Sequence, residues 1–197
     1  MGLAKLKTKI SVAEYLEGEK ISQVKHEFVG GEVYAMAGAS ERHHRIALNL
    51  IKKLDSHLEN SKCEAFITDM KLKADEKTFY YPDVFVACDK HPASAYYREE
   101  PVLIIEVVSP STRQTDRREK LRAYQQIPSV REYVIVEQDK IYVEIHRRQP
   151  DGHWITYFYN GNDAEDYLEF QAVGLKMTLE EIYYRVKFRK QTSEVLQ

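Results

Sequence analysis

Two stretches of this chain leave little freedom in its architecture. Tyr80-Tyr81-Pro82-Asp83-Val84-Phe85-Val86-Ala87 and Val102-Leu103-Ile104-Ile105-Glu106-Val107-Val108 are apolar on both alternating faces, apart from one acid in each. A strand with a single buried face alternates apolar and polar side chains, whereas a strand apolar on both faces belongs at the centre of a sheet covered by helices on either side. A covering helix is equally legible. Between Ser40 and Glu59, Ile46, Leu50, Leu54 and Leu58 recur every four residues, and Ala47 and Ile51 widen the stripe. Ser40 supplies a cap and Asn60-Ser61 a stop.

The flanking signals complete the plan. Ser11-Val12-Ala13-Glu14 is a capping box that opens a short helix through Leu16, ending near Gly18. His26 to Met36 reads as a hairpin hinged at Gly30-Gly31. Phe66 to Lys73 alternates like a half-exposed strand. After the turn Ser109-Pro110-Ser111-Thr112, a helix is expected from Thr115 to Gln126, stopped by Ile127-Pro128. Strands follow at Arg131 to Val136, Ile141 to Ile145 and His153 to Tyr159, with turns at Gln138-Asp139-Lys140 and Asn160-Gly161-Asn162. A second capping box, Thr178-Leu179-Glu180-Glu181, opens a C-terminal helix that fades into a polar tail. No repeat or linker interrupts the 197 residues, so one domain with a core at about 11–186 is expected. Its class is α/β of the α+β type, with one mixed sheet flanked by helices.

Charge and composition narrow the function classes. The formal net charge is −2, whereas strong binders of nucleic-acid phosphates are usually basic overall. Any contact with DNA must therefore come from a local patch, or be weak and transient. No apolar run reaches the roughly 18 residues of a membrane span, and the charged N-terminus lacks the apolar core of a signal peptide. Gly2 lacks the Ser or Thr that myristoylation needs. A cytoplasmic address without membrane contact follows. Cys63 and Cys88 show neither metal-ligand spacing nor a disulfide framework, and are expected as small core residues.

The chemistry lies in the two exceptions. Asp83 interrupts one core strand and Glu106 the next, and acids are rarely buried without a partner. Facing one point, they would repel and raise one pKa unless a cation sat between them. A hard divalent ion such as Mg²⁺ or Mn²⁺ resolves the conflict, because it binds one or two carboxylates and keeps room for water and phosphate. Either acid could instead lie at a strand end in solvent, or pair with an arginine. Lys120 shares a helix face with Tyr124, and its stem could carry the ammonium to the carboxylates; the alternative is a solvated lysine. His43-His44 is not a zinc motif, because adjacent helical positions diverge by about 100°. Ser109-Pro110-Ser111-Thr112 is better suited to capping than to nucleophilic attack. With Arg113, Arg117, Arg118 and Arg122 it forms the best local basic patch for phosphates.

Pro82-Asp83 followed by Glu106-Val107-Val108 resembles the PD-(D/E)XK signature of the restriction-endonuclease-like superfamily. The fuller string runs from Pro82-Asp83-Val84 through Glu106-Val107-Val108-Ser109-Pro110-Ser111-Thr112 to Asp116, Lys120, Tyr124 and Glu132-Tyr133, and is similar to the Uma-type endonuclease family. The resemblance spans about Ser11 to Ile182. It implies a restriction-endonuclease-like mixed sheet, with Asp83, Glu106 and the Val107 carbonyl as metal ligands. The signature lysine position holds Val108, and the resemblance implies that its lysine has moved to the helix, at Lys120. Glu27 and His44 match recurring positions, and Glu41 is the nearest acid on the first core helix. The function implied is metal-dependent hydrolysis of DNA phosphodiester bonds. The alternatives are a catalytically inactive nuclease fold that binds nucleic acid or a partner protein, and an assembly domain that dimerises through Tyr157, Tyr159, Tyr183 and Tyr184.

Overall fold

The computed structural model describes residues 9–89, 92–161 and 167–188. The N-terminal octapeptide, Asn162 of the expected turn and the polar tail lie outside them. In chain order the elements are α1 (Val12–Ile21), β1 (His26–Val29), β2 (Glu32–Ala35), α2 (Glu41–Leu58), β3 (Glu64–Ile67), β4 (Lys71–Asp75), β5 (Thr78–Tyr80), β6 (Val84–Ala87), β7 (Tyr97–Arg98) and β8 (Pro101–Val108). Then come α3 (Arg113–Thr115), a π-helical turn (Asp116–Lys120), α4 (Leu121–Gln126), β9 (Glu132–Glu137), β10 (Val143–Arg148), β11 (Trp154–Tyr159), β12 (Leu168–Phe170), β13 (Leu175–Met177) and α5 (Leu179–Ile182).

The strands do not form the single sheet expected. They divide into a five-stranded sheet ordered β2-β1-β5-β4-β7, a six-stranded sheet ordered β11-β10-β9-β8-β6-β3, and the small ladder β12-β13. The apolar run 80–87 is split between the two larger sheets, because Pro82 can donate no ladder hydrogen bond and ends β5 before β6 begins. The half-exposed stretch 66–73 is split too. Asp69 turns with φ +88°, which sends β3 and β4 into different sheets. Gly30 and Gly31, both at positive φ, close the β1–β2 hairpin as expected.

The six-stranded sheet is mixed. Its β8 and β9 run parallel, joined by the crossover through α3 and α4, and its other neighbours are antiparallel. Ile46, Leu50 and Leu54 of α2 pack with Val84, Val86, Ile105 and Val107 on one face. Tyr124 of α4 packs with Phe85, Ile104, Val108 and Ile135 on the other. This double coverage is why β6 and β8 carry no polar face. α1 runs three residues beyond Gly18, whereas the C-terminal capping box starts only four helical residues. Among the described residues no helix is long and apolar enough to cross a membrane.

Cys63 and Cys88 form a disulfide, contrary to the expectation of two free core cysteines. The reason is register. β3 pairs with β6 antiparallel, with Glu64 opposite Ala87, so the residues just beyond that pair meet across the ladder.

Candidate active site

The β6–β8 register sets Val84 opposite Ile105 and Phe85 opposite Ile104. Extended by one residue, it brings Asp83 opposite Glu106. Alternation puts Glu106 on the same face as Ile104 and Val108, and Asp83 on that of Phe85, and all three apolar residues belong to the α4-side core. The two acids therefore share a face of the sheet. β6 ends at Val84, and the Asp83 carboxylate takes over its pairing by accepting the Val107 amide at 2.7 Å. Within a strand a residue's N–H and C=O point to the same edge, so the Val107 carbonyl also faces this corner.

The crossover helix supplies the cation. Lys120 is only 7% exposed, and its Nζ lies 2.8 Å from Glu27, 3.1 Å from Glu106 and 3.5 Å from Asp116. The π-helical turn Asp116–Lys120 buries both of its end residues; such wide turns recur at functional sites. Tyr124 donates its hydroxyl to Glu106 at 2.9 Å, and the Lys120 ammonium also stands 5.5 Å from the centre of the Tyr80 ring. Lys120 is thus an internal ion-pair partner and not a solvated surface lysine.

Three carboxylates therefore gather around one ammonium, and Asp83 stands opposite one of them, Glu106. Burial pushes the Glu106 carboxyl well above its ordinary range. Lys120 opposes that, and the charges of Asp116, Asp83 and Glu27 add to it. Asp116 is raised by burial in the same way, against Lys120 and a hydrogen bond from Thr112. Burial lowers the Lys120 pKa, but Glu106, Glu27 and Asp116 outweigh it and hold the side chain firmly charged.

His44, expected at the site, is exposed, and among the described residues no hydrogen bond or ion pair joins it to the carboxylates. The histidine that reaches them is its neighbour His43, whose Nε2 lies 3.1 Å from Asp83. Burial lowers the His43 pKa, yet the hydrogen bond and charge of Asp83 carry it above its usual value. The stripe already marked this residue, since His43 precedes Ile46, Ala47 and Leu50 by three, four and seven positions. Glu41 is exposed at the start of α2, away from the cluster. Asp116 is a further member that was quoted in the motif but given no role. Two of the four arginines of the expected basic patch are consumed: Arg113 makes a two-pronged pair with Glu137, and Arg117 bridges Glu137 and Glu144.

A second buried carboxylate steadies the backbone beside the site. Glu19 of α1 accepts from the His26 ring at 2.8 Å, the His26 amide at 3.3 Å and the Tyr81 hydroxyl at 2.9 Å. His26 precedes Glu27, and Tyr81 lies two residues before Asp83, so one side chain ties down both neighbouring segments.

Among the described residues no three His, Cys, Asp or Glu side chains form a ready-made metal cage. The donor set nonetheless suits a hard cation needing one or two carboxylates. Oδ1 of Asp83 and Oε2 of Glu106 accept no hydrogen bond among the described residues, and the four carboxyl groups of the cluster outnumber the one Lys120 ammonium.

The chain is similar to two uncharacterized proteins of Synechocystis sp. One is 33% identical over 182 residues, covering 91% of this chain and 94% of the relative. The other is 33% identical over 168 residues, covering 83% and 95%. A crystal structure described as a "putative nuclease" from Anabaena variabilis superposes with a TM-score of 0.69 at 16% identity, over 88% of this chain and 97% of that one, which shows a shared fold. The family described as "Uma2: Putative restriction endonuclease" matches residues 12–180. The mixed sheet between helices is thus a restriction-endonuclease-like fold, and the chain belongs to the Uma2 family.

Proposed function

We propose that this chain is a metal-dependent endonuclease that hydrolyses DNA phosphodiester bonds at the Asp83–Glu106 corner. The observation that carries the proposal is the convergence of Glu27, Glu106 and Asp116 on Lys120, with Asp83 set opposite Glu106 and held by the Val107 amide, at the ends of two core strands. Asp83 and Glu106 would hold Mg²⁺ or Mn²⁺ through their free oxygens, with the Val107 carbonyl on the same edge. When bound, such an ion neutralises charge on the phosphate and makes water a competent nucleophile near neutral pH. The Val107 amide and His43 fix the Asp83 carboxylate, and Tyr124 fixes that of Glu106. Lys120, held by Glu27 and Asp116, presents a cation to charge that develops on the phosphate. A cytoplasmic address belongs to the same proposal.

Titration calorimetry with Mg²⁺ and Mn²⁺, beside a plasmid-nicking assay, tests it. Wild type should bind the ion and nick the plasmid. Asp83→Ala should lose both, and Glu106→Gln should slow cleavage by at least about a hundredfold. One observation favours a non-catalytic nuclease fold: Lys120 already occupies the space between the carboxylates. Absence of ion binding in wild type, or equal binding by Asp83→Ala, would decide for that alternative.

A further inference from the structure

A second group of cations lies away from the Arg113–Arg117 segment. Arg42 and Arg45, on the first two turns of α2, line a cleft with Arg185, Val186 and Lys187 from the turn after α5; Glu41 is its one acid. Arg42 is paired with Asp139 at 2.7 Å. Arg45, Arg185 and Lys187 have no ion-pair partner among the described residues, so the cleft keeps a net positive charge.

The cleft is built rather than incidental. Asn49 of α2 donates to the Ile182 and Tyr184 carbonyls, at 2.9 Å each, and so fixes the α5 turn against the helix. The Val186 amide closes that turn onto the Tyr183 carbonyl at 2.9 Å, with Arg185 at its third position and φ +62°. Glycine or asparagine normally occupies such a place, because a larger side chain is strained there. Arg185 is held in that conformation with its guanidinium beside the Tyr184 ring and at the cleft. Strain kept at a charged surface residue points to use.

We infer that this cleft between α2 and the α5 turn is a phosphate-binding subsite for the nucleic-acid backbone, on the same helix that carries His43 to the Asp83–Glu106 corner. The inference rests on the proposed nuclease reading. α2 carries His43 of the site between Arg42 and Arg45 of the cleft, so one helix joins the two places. The geometry suits a phosphodiester, which offers one negative charge and no group for base readout, so contact here would be independent of sequence.

Fluorescence anisotropy in EDTA tests it, with a fluorescein-labelled 20-base-pair duplex and the corresponding single strand at several salt concentrations. The double variant Arg45→Ala/Arg185→Gly should bind the better of these probes at least about tenfold more weakly, and its log K against log salt slope should be shallower by roughly 1.4–1.8. Glycine relieves the positive φ, so the melting temperature should not fall, and lost binding cannot be lost folding. The control Arg118→Ala/Arg122→Ala should change neither quantity. Unchanged affinity and slope in the cleft variant, an equal loss in the control, or no binding of either probe by wild type would each overturn the assignment. Because no metal or cleavage is involved, a protein that binds through the cleft but never cuts refutes only the hydrolase reading. One that cuts while the cleft variant binds normally refutes only the subsite.

Discussion

Replacing Lys120 with methionine keeps most of the side-chain volume and removes the ammonium. In the folded protein this leaves Glu27, Glu106 and Asp116 facing each other, where they had shared a cation at 2.8, 3.1 and 3.5 Å. Removing one partner of a buried ion pair costs about 3–5 kcal/mol, because the remaining charge stays uncompensated. For a chain of this length each kcal/mol moves the melting temperature by about 2–4 °C, so a fall of roughly 6–20 °C is expected at pH 7.5 in EDTA. The pH dependence gives the sharper check. Glu106 is raised in the wild type by burial, against Lys120, and losing the ammonium raises it further. A raised carboxyl binds more protons folded than unfolded, so its stabilising effect is present below the unfolded value of about 4.3 and is lost as pH rises above it. The deficit of Lys120→Met relative to wild type should therefore be larger at pH 7.5 than at pH 5, because proton uptake by the raised carboxyl relieves the uncompensated charge. Circular dichroism melts of both proteins at the two pH values read this directly. A fall below about 3 °C, or the same deficit at both pH values, would show that Lys120 is not the buried counter-ion described.

Two further outcomes follow from the charge and disulfide networks. Burial pushes Glu144 up, but His146 at 3.7 Å and Arg117 at 2.8 Å outweigh it and hold the carboxyl at about 2. A depressed acid stabilises the fold above its unfolded value and loses that contribution as pH falls, so Glu144→Gln should lie up to about 3 kcal/mol below wild type at pH 6, and the two should converge towards pH 2 in urea melts. Unreduced protein should react with no thiol reagent at Cys63 or Cys88, whereas Cys63→Ser should expose one thiol and lose about 3–4 kcal/mol of stability, the chain-entropy value for a crosslink across 25 residues.

What could be read from the residues, and what could not, divides along physical lines. Helix α2 was legible because an amphipathic stripe and a serine cap are local signals, and Ser40 does cap the His43 amide. The strand runs around Asp83 and Glu106 were legible because burial on both faces leaves a β-branched pattern. Strand termination was not: Pro82 and Asp69 divert the chain between sheets, and a hydrophobic pattern runs through such breaks unchanged. The histidine that contacts Asp83 is one position from the one expected at the site. The resemblance placed it at His44, whereas it is His43 that lies on the face of Ile46, Ala47 and Leu50. The disulfide depended on the β3–β6 register, and the loss of Arg113 and Arg117 to Glu137 depended on where β9 ends. Neither is written in local spacing.

The junction at Pro82 has a consequence for how the protein comes to possess a reactive corner at all. Glu27 arrives from one sheet, Glu106 from the other, Asp116 and Lys120 from the crossover, and Asp83 from the hinge between them. No fragment holding only one layer contains the set. Nascent or partly opened chains therefore carry dispersed, hydrated acids, and the charge constellation comes into being as both layers dock. The cluster is in this way a readout of complete assembly.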